Sequence, residues 1–568
     1  MKLWRVREDR LPLLVIAAMW AFTTVLWLTP GITKPDGAGY YVYLPSTYLD
    51  HDLLFFDEWA NLGLIRNGVI LHKEVTASGH LGDHWTIGSA LIWYPAFVAG
   101  DILRVMIPPL ARFPRNGLSL PYNVPVILTS ALTGLLTLLI GFALIRRTYG
   151  RFAAVCAAAG IWLGTPLLWY SLRNPIMSHA TSALACAVVV MLAVRNRRAL
   201  NGRALFACGI AAGVAFAVRP QDGTFLLVPL FFMAGDGLGR LAIRLTALGC
   251  GFFLGALPEL IVSEFLYGTP IGFITGGGAA KPFAAFERIW WWEPIFSWYH
   301  GLLPWSPFIA VALAGFYFIW RDDRPMALAG LYSFLAQWAV NATLERSFWG
   351  AYSFGQRRFL DCTIFFILGA AALLSRLPRI LSVIITILTS LWSLSIFFAA
   401  SSRLDLSAYY TPRELWQEQA RALASASQYF RVFDSVPRAM TGLVFVLCAA
   451  TIAVWVTLAT ASSSRPVRRW ATELTAGVLT VVSCFLAFCG WNGQNRVDSY
   501  RRLIQFNRMV SSATGGADQR AALLSDELRY LQKSGRTDEA EATAIELRNV
   551  LVRRDEGIRR LTQGKVAP

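Results

Sequence analysis

Residues 1–41 read MKLWRVREDR LPLLVIAAMW AFTTVLWLTP GITKPDGAGY Y, and the order of charge, apolar run and turn within them decides the fold. Lys2, Arg5, Arg7 and Arg10 precede an apolar stretch from Leu11 to Leu28. Coiled as a helix, such a stretch reaches across roughly 30 Å of hydrocarbon. No convincing small-residue cleavage site accompanies it, so it reads as a retained first span with a cytoplasmic N-terminus. Past Pro30 the chain turns polar, with Pro35-Asp36-Gly37 followed by paired tyrosines.

Runs of the same kind recur along most of the chain. With 11–29 they fall at 124–145, 152–170, 176–194, 204–218, 223–235, 242–266, 303–320, 326–342, 360–374, 379–400, 438–460 and 470–490, about thirteen in all. The composition agrees: 55% of the residues are hydrophobic and only 15% charged, too little polar surface to cover a soluble core of 568 residues. The expected class is all-α, a polytopic transmembrane helical protein. Residues 1–495 form its membrane domain, 30–123 a large first outer loop with interfacial helices, and 496–568 an extracytoplasmic helical tail. In that tail Leu523, Leu524, Leu528 and Leu531, then Ile545, Leu547, Val550 and Leu551, predict two amphipathic helices joined at Ser534-Gly535.

Segment 87–107 sets the direction of everything after it. It is apolar enough to span, yet it holds Pro95, Asp101 and Arg104. If it lies flat, the short loops carrying Arg146-Arg147, Arg195 to Arg203, Arg240 to Arg244, Arg321 to Arg324, Arg376 to Arg379 and Arg465 to Arg469 all face the cytoplasm, as the positive-inside bias requires. If it spans, they face outward. We therefore read 87–107 as an interfacial helix. All six histidines then lie in or beside outward loops. The working face and the C-terminus are therefore expected to be extracytoplasmic.

A net charge of +17 raises a nucleic-acid reading, but the arginines are spread through short loops rather than gathered on one soluble face. Basic loops against anionic lipid account for them, so membrane lipids are expected partners and nucleic acid is not. The eight cysteines sit within or at the edges of apolar runs, with neither zinc-ligand nor disulfide spacing. His72, His80 and His84 with Asp83 match no strong ligand pattern. No cofactor is expected, and a divalent cation has no ligand motif to support it.

Four stretches carry chemistry. Asp36, with Tyr40 and Tyr41 beyond it, suits a general base acting on an acceptor hydroxyl, although Pro-Asp-Gly is equally a plain turn. Arg173-Asn174-Pro175 precedes Ser178-His179, and Arg219-Pro220-Gln221-Asp222 follows an apolar helix, where charge is costly unless partnered. Ser353-Phe354-Gly355-Gln356-Arg357-Arg358-Phe359-Leu360-Asp361 brings tandem arginines to a helix end. The arginine fork fits phosphate oxygens in a bidentate manner; snorkelling to headgroups is the alternative. His84 and His300 complete the polar set on the outward loops.

These residues resemble a known family. An Asp-Gly-x-x-Tyr-Tyr after the first span, a long first outer loop and about thirteen spans are similar to the membrane glycosyltransferases of the GT-C fold, among them bacterial lipid A aminoarabinose transferases and protein O-mannosyltransferases. Pro-Ile-Met-Ser-His, Val-Arg-Pro-Gln-Asp, Tyr-His-Gly-Leu-Leu-Pro-Trp-Ser-Pro and Ser-Phe-Gly-Gln-Arg-Arg-Phe-Leu-Asp carry the similarity, over residues 1–400. The resemblance implies a protein of the bacterial inner (plasma) membrane that transfers a sugar from a polyprenyl-phosphate donor to a lipid, glycan or protein acceptor. Asp36 matches the family's first-loop acid. Arg357, Arg358 and Arg219 would hold the donor phosphate, and Tyr40, Tyr41, His84, Arg173, His179, Asp222, His300 and Gln356 would line the substrate site. No His-Pro-Pro sequence follows Asp36, and Trp290-Trp291-Trp292-Glu293-Pro294 is not the Trp-Trp-Asp-Tyr-Gly signature of oligosaccharyltransferases, so the acceptor is not inherited. Two rival classes remain: a lipid or oligosaccharide transporter or flippase, and a non-catalytic subunit of an envelope polysaccharide assembly system.

Overall fold

The computed structural model describes residues 6–29, 31–32, 36–53, 55–62, 65–66, 69–70, 76, 82–83, 85–198, 200–233, 238–275, 289–343, 352–402, 404–406, 408, 410–424, 524, 528 and 537–562. The expected spans 438–460 and 470–490, the turn at Ser534-Gly535, and His72, His80 and His84 lie outside them. Its principal helices are α1 (Val6–Trp27), α2 (Asp36–Tyr41), α3 (Gly88–Met106), α4 (Leu120–Ile145), α5 (Arg151–Gly164), α6 (Leu167–Leu172), α7 (Ser178–Asn196) and α8 (Gly202–Val218). They continue as α9 (Leu238–Tyr267), α10 (Phe308–Asp322), α11 (Arg324–Thr343), α12 (Thr363–Leu374), α13 (Arg379–Ser402), α14 (Pro412–Ala424) and α15 (Thr537–Thr562). Two 3-10 segments, Pro220–Phe232 and Arg357–Cys362, interrupt the series, and Ile65–Arg66 pairs antiparallel with Val69–Ile70.

Among the described residues six helices are long and apolar enough to cross a membrane: Asp9–Trp27, Gly88–Met106, Leu120–Ile145, Ser178–Asn196, Gly239–Tyr267 and Arg379–Ser402. The chain is an all-α polytopic membrane protein. Segment 87–107, expected from its charges to lie flat, forms one of these six as a continuous helix with Pro95 inside. The expected span 223–235 falls largely within the 3-10 segment Pro220–Phe232. Arg151–Gly164 and Gly202–Val218 are shorter apolar helices.

The chain forms two compact units. Residues 1–29, 128–257 and 283–493 make the first; residues 30–127, 258–282 and 494–568 make the second. At the centre of the first is α12, whose residues from Thr363 to Ala372 are all buried. A helix apolar on every side has to be enclosed by others, and α5 and α10 both pack on it. On α10 the buried face is Phe308, Ile309, Ala312, Gly315 and Ile319, the helical spacing of a one-sided stripe. Side-chain size sets the closest approaches. A Cβ on Gly209 or Gly213 of α8 would meet the Leu248 and Phe252 carbonyl oxygens, and one on Gly251 or Gly255 of α9 those of Phe206 and Ile210. Two small-xxx-small faces thus press together, the usual way for apolar helices to gain contact without a hydrophobic driving force.

Ion pairs join the ends of these helices. Asp9 accepts from Arg146 Nε and Arg151 Nε, both at 2.8 Å, tying α1 to the α4–α5 connection. Asp322 accepts from Arg376 at 2.6 Å, and Asp323 pairs with Arg197. Arg376 also lies over the Phe318 ring at 4.5 Å.

In the second unit the tyrosines after Asp36 are structural anchors. Tyr41 Oη donates to the Gly117 carbonyl at 2.7 Å and Tyr43 Oη to that of Trp85 at 2.8 Å. Glu259 reaches the start of α3 and accepts from the Ile87 N–H at 2.9 Å. Further along α3, Asp101 is buried and held by the Tyr122 hydroxyl, Arg104 at 3.3 Å and Arg115 at 3.4 Å. In the tail, α15 is a single helix of 26 residues whose Val550 packs with Leu524.

Candidate functional site

Proline geometry puts Arg219 at a junction. Helix α8 begins at the Asn201 cap, whose side chain accepts from the Ala204 N–H at 2.9 Å. It stops at Arg219, which is extended (φ −152°, ψ 126°) because Pro220 bars the helical region to the residue before it. Pro220 then opens the 3-10 segment that carries Gln221 and Asp222. The second arginine segment is bent by Gly355 at φ +58°, a left-handed position that suits glycine, just before the 3-10 turn Arg357–Cys362. Extended Met177 (φ −130°) leads into α7 at Ser178-His179.

These three segments converge in the first unit. Arg219 Nη1 lies 3.0 Å from His179 Nδ1, and because guanidinium only donates, Nδ1 is the acceptor. Arg357 and Arg358 act on the same His179 ring together with Arg219. The ring packs edge-on against Tyr170, centroids 4.6 Å apart. The Tyr170 hydroxyl accepts from the Phe354 N–H at 2.9 Å and from the Arg357 guanidinium. Arg219 and Arg358 are nearly enclosed, 9% and 7% exposed.

Acids and amides stand behind the arginines. Asp222 accepts from Ser182 Oγ at 2.6 Å, Asp361 accepts from Gln221 at 2.7 Å and from the Cys362 N–H at 2.8 Å, and the two carboxyl groups touch each other. Arg219 Nη2 donates to Gln221 Oε1 at 3.1 Å, and Gln337 Nε2 donates to the Gln221 carbonyl at 3.1 Å. Among the described residues three guanidinium groups and two carboxyl groups meet here. Chemically the cluster is a fixed cationic site whose members are held from behind, suited to phosphate oxygens.

Neither a protein-family model nor a curated protein matches the chain. It is similar to the crystal structure of ArnT from Cupriavidus metallidurans in the apo state, at 16% identity and a TM-score of 0.44, over 91% of this chain and 80% of that chain.

Of the residues singled out in the sequence, Arg219, Arg357, Arg358, His179 and Asp222 come together in this cluster. Gln356 is buried immediately before Arg357. His300 lies in the same unit, close enough for Arg357 to act on it, but its Nε2 donates to the Leu406 carbonyl at 3.1 Å. Arg173 stands apart, donating to Thr29 Oγ1 at 2.8 Å with its guanidinium 6.0 Å from the Trp169 ring centre. Asp36, Tyr40 and Tyr41 belong to the second unit, with Asp36 in the first turn of α2. Tyr41 is fully buried, and burial pushes its phenol well above the ordinary tyrosine range, so it serves there as a neutral donor to Gly117. His84 is outside the described residues. Among the described residues no group of three or more His, Cys, Asp or Glu side chains could hold a metal ion. Tyr170, Ser182, Gln221, Gln337 and Asp361 also belong to the site, beyond the residues predicted from the sequence. Gln221 and Asp361 sit inside the Val-Arg-Pro-Gln-Asp and Ser-Phe-Gly-Gln-Arg-Arg-Phe-Leu-Asp motifs, whereas Tyr170 ends an apolar run and carries no local signal.

Proposed function

We propose that the protein is a GT-C-type membrane glycosyltransferase that moves a sugar from a polyprenyl-phosphate donor to an acceptor at the extracytoplasmic face. The observation that carries this reading is the meeting of Arg219, Arg357 and Arg358 around His179 in an all-α membrane protein. A lipid-phosphate leaving group gains negative charge as its bond to the sugar breaks, and fixed cations at that point lower the barrier. The motif resemblance assigns the base to Asp36. In an inverting transfer the base takes the proton of the acceptor hydroxyl, the hydroxyl oxygen bonds to the anomeric carbon, and the anomeric C–O bond breaks with its electron pair leaving on the lipid phosphate. Attack opposite the leaving group inverts the anomeric centre. Neutral His179 accepts from Arg219 and aims its guanidinium.

Purified protein in detergent, given a panel of polyprenyl-phosphate sugars, is expected to consume one of them. Asp36→Asn is expected to remove nearly all transfer while leaving thermal stability unchanged. Full turnover by that variant ends the role of Asp36. Lipid translocation in vesicles without any glycosylated product would favour the flippase reading instead.

A further inference from the structure

The two arginine-bearing segments are far apart in sequence, and one neutral side chain joins them. Gln221 Oε1 accepts from Arg219 at 3.1 Å, while Gln221 Nε2 donates to the Arg358 carbonyl at 3.0 Å, to Asp361 Oδ2 at 2.7 Å and to Gln337 Oε1 at 2.9 Å. The amide orientation is dictated by its neighbours: Arg219 has only donors, so the oxygen must face it, and the acceptors collect on the nitrogen. Two N–H bonds serve three acceptors, which ties the whole 3-10 turn Arg357–Cys362 to the start of Pro220–Phe232. Gln337, from α11, completes the frame through Nε2 to the Gln221 carbonyl and Thr224 Oγ1, both at 3.1 Å.

We propose that Gln221 is a positioning residue that sets the spacing of Arg219 from Arg357 and Arg358 to match one phosphate group; this rests on the phosphate reading above. An amide suits the task because it holds both segments without adding charge. A carboxylate in its place would accept from Arg219 but could not donate to the Arg358 carbonyl, and it would face Asp361 with like charge. An apolar side chain would release both segments. In either case the guanidinium groups remain but their spacing does not, and bidentate recognition depends on spacing.

The test uses the full chain in detergent with two probes of identical tail, farnesyl phosphate and farnesol, so that the ratio of their affinities reports the phosphate contact alone. Wild type is expected to prefer the phosphate. Gln221→Ala is expected to lower that preference about tenfold, the scale of one to two lost hydrogen bonds, and Gln221→Glu by more, with farnesol binding unchanged in both. Combining Gln221→Glu with Asp361→Asn turns one bond around, carboxylate accepting from amide, and is expected to recover part of the loss. A wild-type ratio in both single variants, with Arg357→Ala still impaired, overturns the positioning role and leaves the phosphate reading standing. A parallel loss for both probes also overturns it, since the residue would then be merely structural. If wild type shows no preference and Arg357→Ala changes nothing, the phosphate reading fails and takes this inference with it.

Discussion

Acidification should weaken this protein through His300, by an amount that follows from how the imidazole is held. His300 is 1% exposed, sits at φ +59°, and has its ring centre 4.5 Å from that of Trp305. Nε2–H donates to the Leu406 carbonyl, so the neutral tautomer is the one that fits; Nδ1 is buried with no hydrogen-bond partner. Adding a proton there would create a buried cation with an unmet donor. Burial accordingly drives the imidazole pKa down to about 4; the Leu406 bond opposes this and Arg357 adds to it. An unfolded histidine takes up its proton near pH 6.5. Between these values the unfolded chain binds a proton that the folded chain does not, so stability is greatest above pH 6.5 and falls as the pH drops toward 4. The loss relative to pH 7 is about 1.2 kcal/mol at pH 5.5 and about 3 kcal/mol at pH 4. Unfolding by dodecyl sulfate in mixed micelles, for wild type and His300→Gln at pH 7, 5.5 and 4, isolates this contribution from other titrating groups. Gln keeps a donor for Leu406 and does not titrate, so the gap between the two proteins should shift in favour of the variant by those amounts. A gap that stays constant across the range refutes the account of His300 as a buried neutral donor.

Asp9→Asn should cost about 3–5 kcal/mol, the price of leaving the buried Arg146 guanidinium without its counter-charge, visible in the same micelle unfolding. Gly213→Val should destabilise by about 1–3 kcal/mol, because its side chain meets the Phe252 carbonyl where α8 and α9 touch, while Gly239→Ala, with open space around it, should be near neutral. Arg358→Ala should weaken farnesyl phosphate binding by roughly tenfold to a hundredfold, the loss of one charge-assisted contact, with farnesol unaffected.

How much of this was legible in the sequence depended on whether its cause was local. Arg219-Pro220 is a two-residue instruction: it ends α8, extends the backbone and leaves a charge at the junction, so both the break and the candidate were readable. Gly209 with Gly213 and Gly251 with Gly255 also declare themselves by spacing, but their partnership comes from the packing of α8 on α9 and was not read. Gln221 could not be found this way. Its importance comes from acceptors 116 to 140 residues away, and in isolation it is one more polar residue after a proline. Segment 87–107 was legible as a helix from its apolar run, and the partners of its charge were not: Asp101 is held by Arg104, by Arg115 and by the Tyr122 hydroxyl, two of which lie beyond the helix.

The arginines of the first unit divide by what they face, and that division separates architecture from chemistry. Arg146, Arg197 and Arg376 each meet a carboxylate from another helix. Where Asp9 serves a second arginine, that residue is Arg151, whose side chain is 43% exposed and can be balanced by water. Such pairs hold helix ends together and leave little charge over. Arg219 and Arg358 are buried, share their surroundings with Arg357, and face two carboxyl groups that also crowd each other. Like charges gathered at low dielectric repel strongly, so a cluster needed only for folding would gain from trading one arginine for an apolar residue of similar size. What offsets that repulsion best is an anion arriving from outside, with oxygen acceptors spaced to match several guanidinium groups at once. A phosphate group meets both conditions, and that is the physical reason to probe these buried arginines with a phosphate-bearing lipid and its uncharged alcohol.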